Sequence, residues 1–314
     1  MTRIIAVTGA TGAQGGGLIR AILAEPDAGF TARAITRNPA SQAAMALAAK
    51  GVDVVQADLD DEASLTGAFA DAHGIFCVTN FWEHFSPERE KAQARNLANA
   101  VAAASPAHVI WSTLEDVRDY VPLSDSRMPT LMGSYKVPHF DAKAEANAFF
   151  GDAGVPMTYL YTSFYWDNMI SFGMGPVRRE DGTLAVTFPL ADAALPSIAA
   201  SDIGACAYGI FREGASWIGR SVGIAGEHLT GSDMAAGLTE VLGEEVRYNA
   251  VTPAAYSAFG FPGADELANM FHFNTEFAED FGACRDVETT RRLNPGLRSY
   301  SQWLEQNATR IPIG

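Results

Sequence analysis

The chain of 314 residues has few cysteines, a shortage of positive charge and no long apolar run, and each shortage closes off a class of function. Its three cysteines, Cys77, Cys206 and Cys284, are odd in number and lack metal-ligand spacing. They provide no disulfide framework and no metal site, and they fit a reduced, cytoplasmic protein. Cys77 lies within "GIFCVTN", where a small thiol packs as a buried apolar group. With 22 Lys and Arg against 37 Asp and Glu, the net charge is −15. Nucleic-acid contact needs a clustered basic face, so none is expected. No apolar stretch reaches the roughly 18–20 residues of a membrane span, so no membrane partner is expected either. "MTRIIAVTGATG" runs directly into a strand and a glycine loop, and no signal peptide is expected.

What is present is material for a large core: 48% apolar residues and a mean hydropathy of +0.01. The first half alternates β-branched runs with helical segments, the pattern of a parallel sheet covered on both faces. Strands are predicted at 3–9, 31–37, 52–58, 74–80, 108–115 and 156–165. Ser86-Pro87-Glu88 opens a long helix with a hydroxyl cap, a proline in the first turn and an acid against the dipole. Residues 166–200 are rich in Gly and Pro, with a strand at "TLAVTFPL". "SDIGACAYGIFR" is a helix capped by Ser201 or Asp202, and "SVGIAG" (221–226) returns to the main sheet. The expected fold is α/β: a Rossmann-type doubly wound parallel sheet with a smaller, discontinuous, mostly helical C-terminal lobe. Residues 1–165 with about 217–227 would form the NAD(P)-binding domain, and 166–216 with 228–314 the substrate or partner lobe, a cleft lying between them.

"GATGAQGG" follows the first strand at once and places glycines at 9, 12 and 15. Gly9 permits the tight turn, Gly12 lets backbone approach a pyrophosphate, and Gly15 lets the helix pack close to the sheet. The helix N-terminus then presents free N–H groups to the phosphates. The second strand ends in Thr36-Arg37-Asn38 instead of an acid. Arg37 can form a charge-assisted fork with a 2′-phosphate, so NADP(H) is the preferred cofactor. If Arg37 is only a solvated loop residue, NAD(H) still fits. Asp58 either hydrogen-bonds an adenine amine or caps the next helix.

Together, "GATGAQGG", "TRNP", "VVQADLDD", "VTNFWE", "PHFDAK", "GVPMT", "GFPGADELANMF" and "RRLNPGLRSYSQWLEQN" resemble the NmrA-like family of atypical short-chain dehydrogenase/reductase relatives, nearest its NADPH-sensor branch. The resemblance implies pyrophosphate contacts from Gly9, Thr11, Gly12, Ala13 and Gln14. It places Thr36, Arg37 and Asn38 at the adenosine end, with Asp58 beside the adenine. It puts Thr79, Asn80 and Phe81 beside the inner ribose, Lys143 on the nicotinamide ribose, and Tyr165, Trp166 and Asn168 over the nicotinamide. One departure is Ala92, where the sensor branch has a lysine; Lys91 and Arg95 lie nearby.

The superfamily's usual Tyr-x-x-x-Lys pair is also missing. In "SYKVPHFDAK" the residue four before Lys143 is His139, and Tyr135 lies four further back. Pro138 suits a first helical turn, so His139 and Lys143 share one helical face. Beside Lys143 a neutral imidazole is expected, able to orient a substrate or take a proton but a poor donor. His139 alternatively packs at a helix start while Lys143 only holds ribose hydroxyls. Ser112 and Thr113 end a strand where the superfamily places a substrate-orienting hydroxyl, or they satisfy backbone there. Trp82, His84, Phe85, Tyr165, Trp166, Phe271, His272 and Phe273 are candidates for an aromatic rim, though such residues are more often core. Two functions follow: an NAD(P)-dependent oxidoreductase acting on a quinone or polycyclic aromatic, oxygenation being a sub-case, or a non-catalytic NADPH sensor that changes shape or oligomer. A homodimer is compatible with both.

Overall fold

The alternating pattern builds a seven-stranded, wholly parallel sheet in the computed structural model, which describes residues 2–314. The chain runs β1 (Arg3–Val7), α1 (Ala13–Ala24), β2 (Phe30–Thr36), α2 (Gln42–Ala48), β3 (Asp53–Gln56), α3 (Glu62–Phe69), β4 (Gly74–Cys77), α4 (Pro87–Ala104), β5 (His108–Thr113), α5 (Pro138–Asp152) and β6 (Met157–Tyr161). It continues through β7 (Phe164–Tyr165), α6 (Asn168–Ser171), β8 (Val177–Arg178), β9 (Leu184–Phe188), β10 (Leu195–Ile198), α7 (Ala200–Glu213), β11 (Arg220–Gly223) and β12 (Glu227–Leu229). It ends with α8 (Gly231–Leu242), β13 (Val246–Ala250), α9 (Pro253–Ser257), α10 (Ala264–Glu276), α11 (Ala278–Ala283), α12 (Val287–Leu293) and α13 (Tyr300–Asn307). Across the sheet the order is β11-β6-β5-β4-β1-β2-β3, the Rossmann-type arrangement, with 221–223 returning to it as predicted.

Because helices cover both faces, β4 and β5 are buried along their whole length. Leu65, Phe69, Leu97, Val101 and Phe150 of α3, α4 and α5 fill one face. Leu18 and Ile19 of α1, with Ile203, Ile210 and Phe211 of α7, fill the other. The helix α7, expected in the smaller lobe, therefore belongs to the sheet. It sits there because α1 and α7 touch through glycine: a Cβ on Gly204 would lie 2.1 Å from the Leu18 nitrogen. Its cap also differs from expectation. The helix begins at Ala200, whose N–H donates to Asp167 Oδ2 at 2.8 Å, while Asp202 pairs with Arg298 at 2.6 Å. Ser86, by contrast, caps α4 as predicted, accepting the Arg89 N–H at 3.2 Å.

The predicted strand 156–165 is split. At Thr162 the carbonyl accepts Nε and Nη2 of Arg285, at 2.9 and 2.7 Å. That side chain draws the chain out of the ladder, and β7 joins a separate three-stranded sheet, β12-β10-β7. A second small sheet, β13-β9-β8, joins α8 to α11 and α13 around a core containing Trp166, Phe188, Phe271, Tyr300 and Trp303. Among the described residues, no helix is long and apolar enough to cross a membrane.

One core histidine makes stability depend on pH. His108 opens β5, and its Nε2 lies 2.8 Å from the Thr158 hydroxyl, which itself donates to the Trp217 carbonyl at 2.8 Å. The hydroxyl proton is therefore engaged elsewhere, so Nε2 carries the imidazole proton and the buried Nδ1 has no partner. Burial, with a smaller contribution from His73, pushes His108 down to about 4. The unfolded chain takes up this proton near pH 6.5, and the folded one does so only near pH 4. Stability is thus intact above that window and falls as pH drops through it, by about 3 kcal/mol in all. Denaturation at about pH 7 and about pH 4.5 should show a smaller acid loss for His108→Gln than for wild type; equal losses would disprove this origin.

Candidate functional site

Where β1 and β4 diverge, the C-terminal ends of the strands open a cavity of about 520 Å³. This is the switch point at which open α/β sheets bind ligands. Its floor is the glycine loop. Gly9 takes a φ of +60°, and a Cβ on Gly15 would lie 2.5 Å from the Gly9 carbonyl oxygen. Only glycine lets α1 begin so close to β1. The helix has Gly12 at its cap, no capping side chain and no acid in its first turn. Its first N–H groups and the positive end of its dipole are left for an anion. Thr11, Gly12 and Ala13 line the cavity there. Gln14 does too, but its side chain is engaged: Oε1 accepts the Ser112 hydroxyl at 2.8 Å and Nε2 donates to the Tyr165 phenol at 2.6 Å. It braces α1 against β5 and β7, so its side chain is not free for a ligand.

Thr36, Arg37 and Asp58 line the far end. Arg37 forms an ion pair with Glu83 through Nη1, so it is a held group and not a free one. Asn38 lies outside the lining and turns its Oδ1 to the Ala40 N–H at 3.0 Å. Asp61, not Asp58, caps α3, taking the Ala63 N–H at 3.1 Å and the Ser64 N–H at 3.2 Å. The capping alternative for Asp58 is therefore closed.

In the middle, Thr79, Asn80, Phe81, His139 and Lys143 meet. The Lys143 ammonium donates to the Thr79 hydroxyl at 2.7 Å and its carbonyl at 3.2 Å. It also pairs with Glu90 at 2.7 Å. Glu90, on α4, has no exposure and accepts the Thr79 hydroxyl at 2.5 Å. Sequence reasoning passed over it because an acid in a first helical turn already has an ordinary explanation in the dipole. The His139 neighbour differs from expectation: Nδ1 lies 2.7 Å from Oε1 of Glu266, and Lys143 turns the other way, to Glu90.

Four of the residues considered for the site have other partners. The Thr113 hydroxyl is buried and donates to Asn147 at 2.8 Å, joining β5 to α5. Tyr135 lies outside the cavity, its hydroxyl accepting from Lys91 at 2.9 Å and donating to Glu88 at 3.2 Å. Lys91 also pairs with Glu145, and Arg95 stacks on Phe149, so neither stands in for the residue replaced by Ala92.

The outer wall is apolar, but only partly as predicted. Trp82, Tyr165 and Asn168 line it. Trp166 is fully buried behind it, with Nε1 donating to Ser197 at 2.8 Å, because neighbours along an extended segment face opposite ways. Phe271 and Phe273 lie in the lobe core, Phe85 packs outside against Trp82, and His272 lies 3.4 Å from Glu276. His84 sits beneath Phe81 with Nδ1 accepting the Ser86 N–H at 3.1 Å. The wall itself is Phe140, Phe172, Met174, Leu267, Met270 and Phe281. The spacing of 267, 270 and 274 on α10 is one helical face, a signal that the aromatic run 271–273 hid. Ser163 Oγ and Asn274 Oδ1, in two lining residues, are buried without a partner.

Comparison with known proteins gives the same picture. The profile of the NmrA-like family matches residues 1–304. The chain is 29% identical over 296 residues to quinone oxidoreductase 2 of Escherichia coli strain K12, covering 92% of this chain and 93% of the other. It is 27% identical over 292 residues to the NmrA-like family domain-containing oxidoreductase FrzB of a Cladobotryum species, covering 87% and 84%. Among solved structures, the NADPH-dependent quinone oxidoreductase of E. coli in complex with NADPH superposes with a TM-score of 0.76 at 27% identity, covering 97% of this chain and 99% of the other.

Proposed function

The chain belongs to the NmrA-like family, and from that premise we propose that it is an NAD(P)H-dependent reductase of flat aromatic acceptors, quinones foremost. The observation that carries this reading is one continuous cavity with a bare helix N-terminus at one end, an apolar aromatic wall at the other, and Lys143 between. The likeness to the E. coli quinone oxidoreductase, solved with NADPH, supports the same assignment.

The residues present fit the cofactor. The glycine cradle leaves no room for a Cβ, and the first-turn N–H groups of α1 would take the pyrophosphate. Arg37 would face a 2′-phosphate, and Lys143 with Thr79 would hold the inner ribose. When bound, the reduced nicotinamide supplies a hydride. The chain's part is to align the two partners and keep water out. Phe140, Phe172, Met270 and Phe281 hold a planar ring by contact area.

The test is to mix the protein with NADPH and a panel of quinones and follow nicotinamide absorbance. Turnover is expected. Tight NADPH binding with no turnover, and a change in molecular size on binding, would replace this reading with that of a sensor. In the same assay Arg37→Ala should weaken NADPH roughly tenfold to a hundredfold and leave NADH nearly unchanged, the worth of one charged hydrogen-bond pair. Equal weakening of both would show that Arg37 does not meet the 2′-phosphate.

A further inference from the structure

If this chain reduces quinones, the usual proton donor is missing, because Tyr135 is outside the cavity and bound to Lys91 and Glu88. A different pair lies on the cavity wall. Glu266, near the start of α10, is 2% exposed and directs Oε1 to His139. That oxygen accepts the His139 backbone N–H at 2.6 Å and lies 2.7 Å from Nδ1. An ionised Glu266 accepts, so Nδ1 carries a proton in either state of the ring, and Nε2 is the position that gains and gives the second proton of the imidazolium. Nε2 has no protein partner, is not among the sealed-off atoms, and belongs to a ring lining the cavity. The rings of Trp82 and Phe140, at 4.8 and 4.7 Å, clamp the imidazole. Lys143 is one turn further along the same helix, its ammonium occupied by Glu90.

Resting on the reductase reading, we propose that Glu266 positions His139 to deliver a proton from Nε2 to the oxygen of the bound acceptor. The carboxylate fixes the ring's orientation and offers a counter-charge to the imidazolium, as a carboxylate does for a general-acid histidine elsewhere. The step balances. The quinone gains a hydride, hence two electrons, from the reduced nicotinamide, which becomes its oxidised cation. It gains one proton from Nε2–H of the imidazolium, giving a hydroquinone; the ring is left neutral with Nδ1–H and takes its next proton from solvent hydronium, so one proton is consumed per turnover. His139 is the catalytic residue and Glu266 its positioning residue. Glu266 comes from the C-terminal lobe, so the donor is assembled only where α5 and α10 meet.

The experiment compares wild type, Glu266→Gln and His139→Gln, two near-isosteric changes. Each variant should lower kcat for a quinone about a hundredfold, the scale of general-acid catalysis, with the NADPH dissociation constant within about twofold. A cationic triarylmethane dye takes a hydride at carbon and needs no proton, so its reduction should survive both changes. Independently of turnover, the wild-type proton spectrum should contain a downfield imidazole Nδ1–H resonance that His139→Gln lacks and that Glu266→Gln moves upfield, an amide oxygen being a weaker acceptor than a carboxylate. Wild-type quinone rates in the variants, equal losses on quinone and dye, or a resonance unmoved in Glu266→Gln would each overturn the pair while leaving the reductase reading intact. Absence of any turnover by the wild type would overturn the reductase reading, and this assignment with it.

Discussion

Replacing Lys143 with methionine lowers the stability of the whole fold by about 3–5 kcal/mol, apart from any effect on cofactor affinity. The reason is Glu90. Its carboxylate has no exposure and depends on Lys143 at 2.7 Å and the Thr79 hydroxyl at 2.5 Å. Its second oxygen has no hydrogen bond, and His84 Nε2 stands off at 3.6 Å. Without the ammonium, a buried charge remains with one hydroxyl for company, which is the costly half of a broken buried pair. Denaturant titration measures the loss. The double variant Glu90→Gln with Lys143→Met should recover part of it, because neighbours in one network do not add. An unchanged midpoint for Lys143→Met would mean that the pair contributes nothing. The consequence for function is practical: weak cofactor binding by a lysine variant is interpretable only where the variant is folded, and Lys143→Arg is the better probe because it keeps the charge.

Arg285→Met is expected to cost a similar amount, about 3–5 kcal/mol, for the same kind of reason. Arg285 has no exposure. It grips Glu115 with two bonds of 2.6 and 2.9 Å, bonds the Thr162 carbonyl twice, and stacks at 3.6 Å over Phe281. One side chain after α11 thus fixes the end of β6 to the lobe, and Thr162 and Phe281 are both cavity residues. The loss should have a location: amides around 160–165 and 278–285 should exchange faster than those of β1 and β4. Uniform acceleration everywhere, or none, would contradict the clamp.

The contrast between these residues and the glycine loop explains what could be read early. Gly9, Gly12 and Gly15 act through steric rules that hold within a few residues, so their spacing after a strand was sufficient. The alternation of strand and helix, the cap at Ser86 and the helical spacing of His139 and Lys143 are equally local. Arg37 was visible as a charge at a strand end, but not its partner Glu83, 46 residues on. The aromatic rim was half misread because composition says that Trp166 and Phe271 are large and apolar, not which way they face. Facing is decided by neighbours: Trp166 is claimed by Tyr300 and Trp303, and Phe271 by Phe164 and Phe188.

The sequence by itself determined the doubly wound sheet, the glycine cradle and the family resemblance, since each rests on short-range periodicity or on residues in fixed order. Only the tertiary structure decided which charges meet. His139 finds Glu266 across 127 residues, Arg285 finds Glu115 across 170, and Lys143 finds Glu90 on another helix. No local rule encodes such pairs. A buried charge takes the counter-charge that the packed chain brings within hydrogen-bond reach, and that choice exists only once the helices are on the sheet.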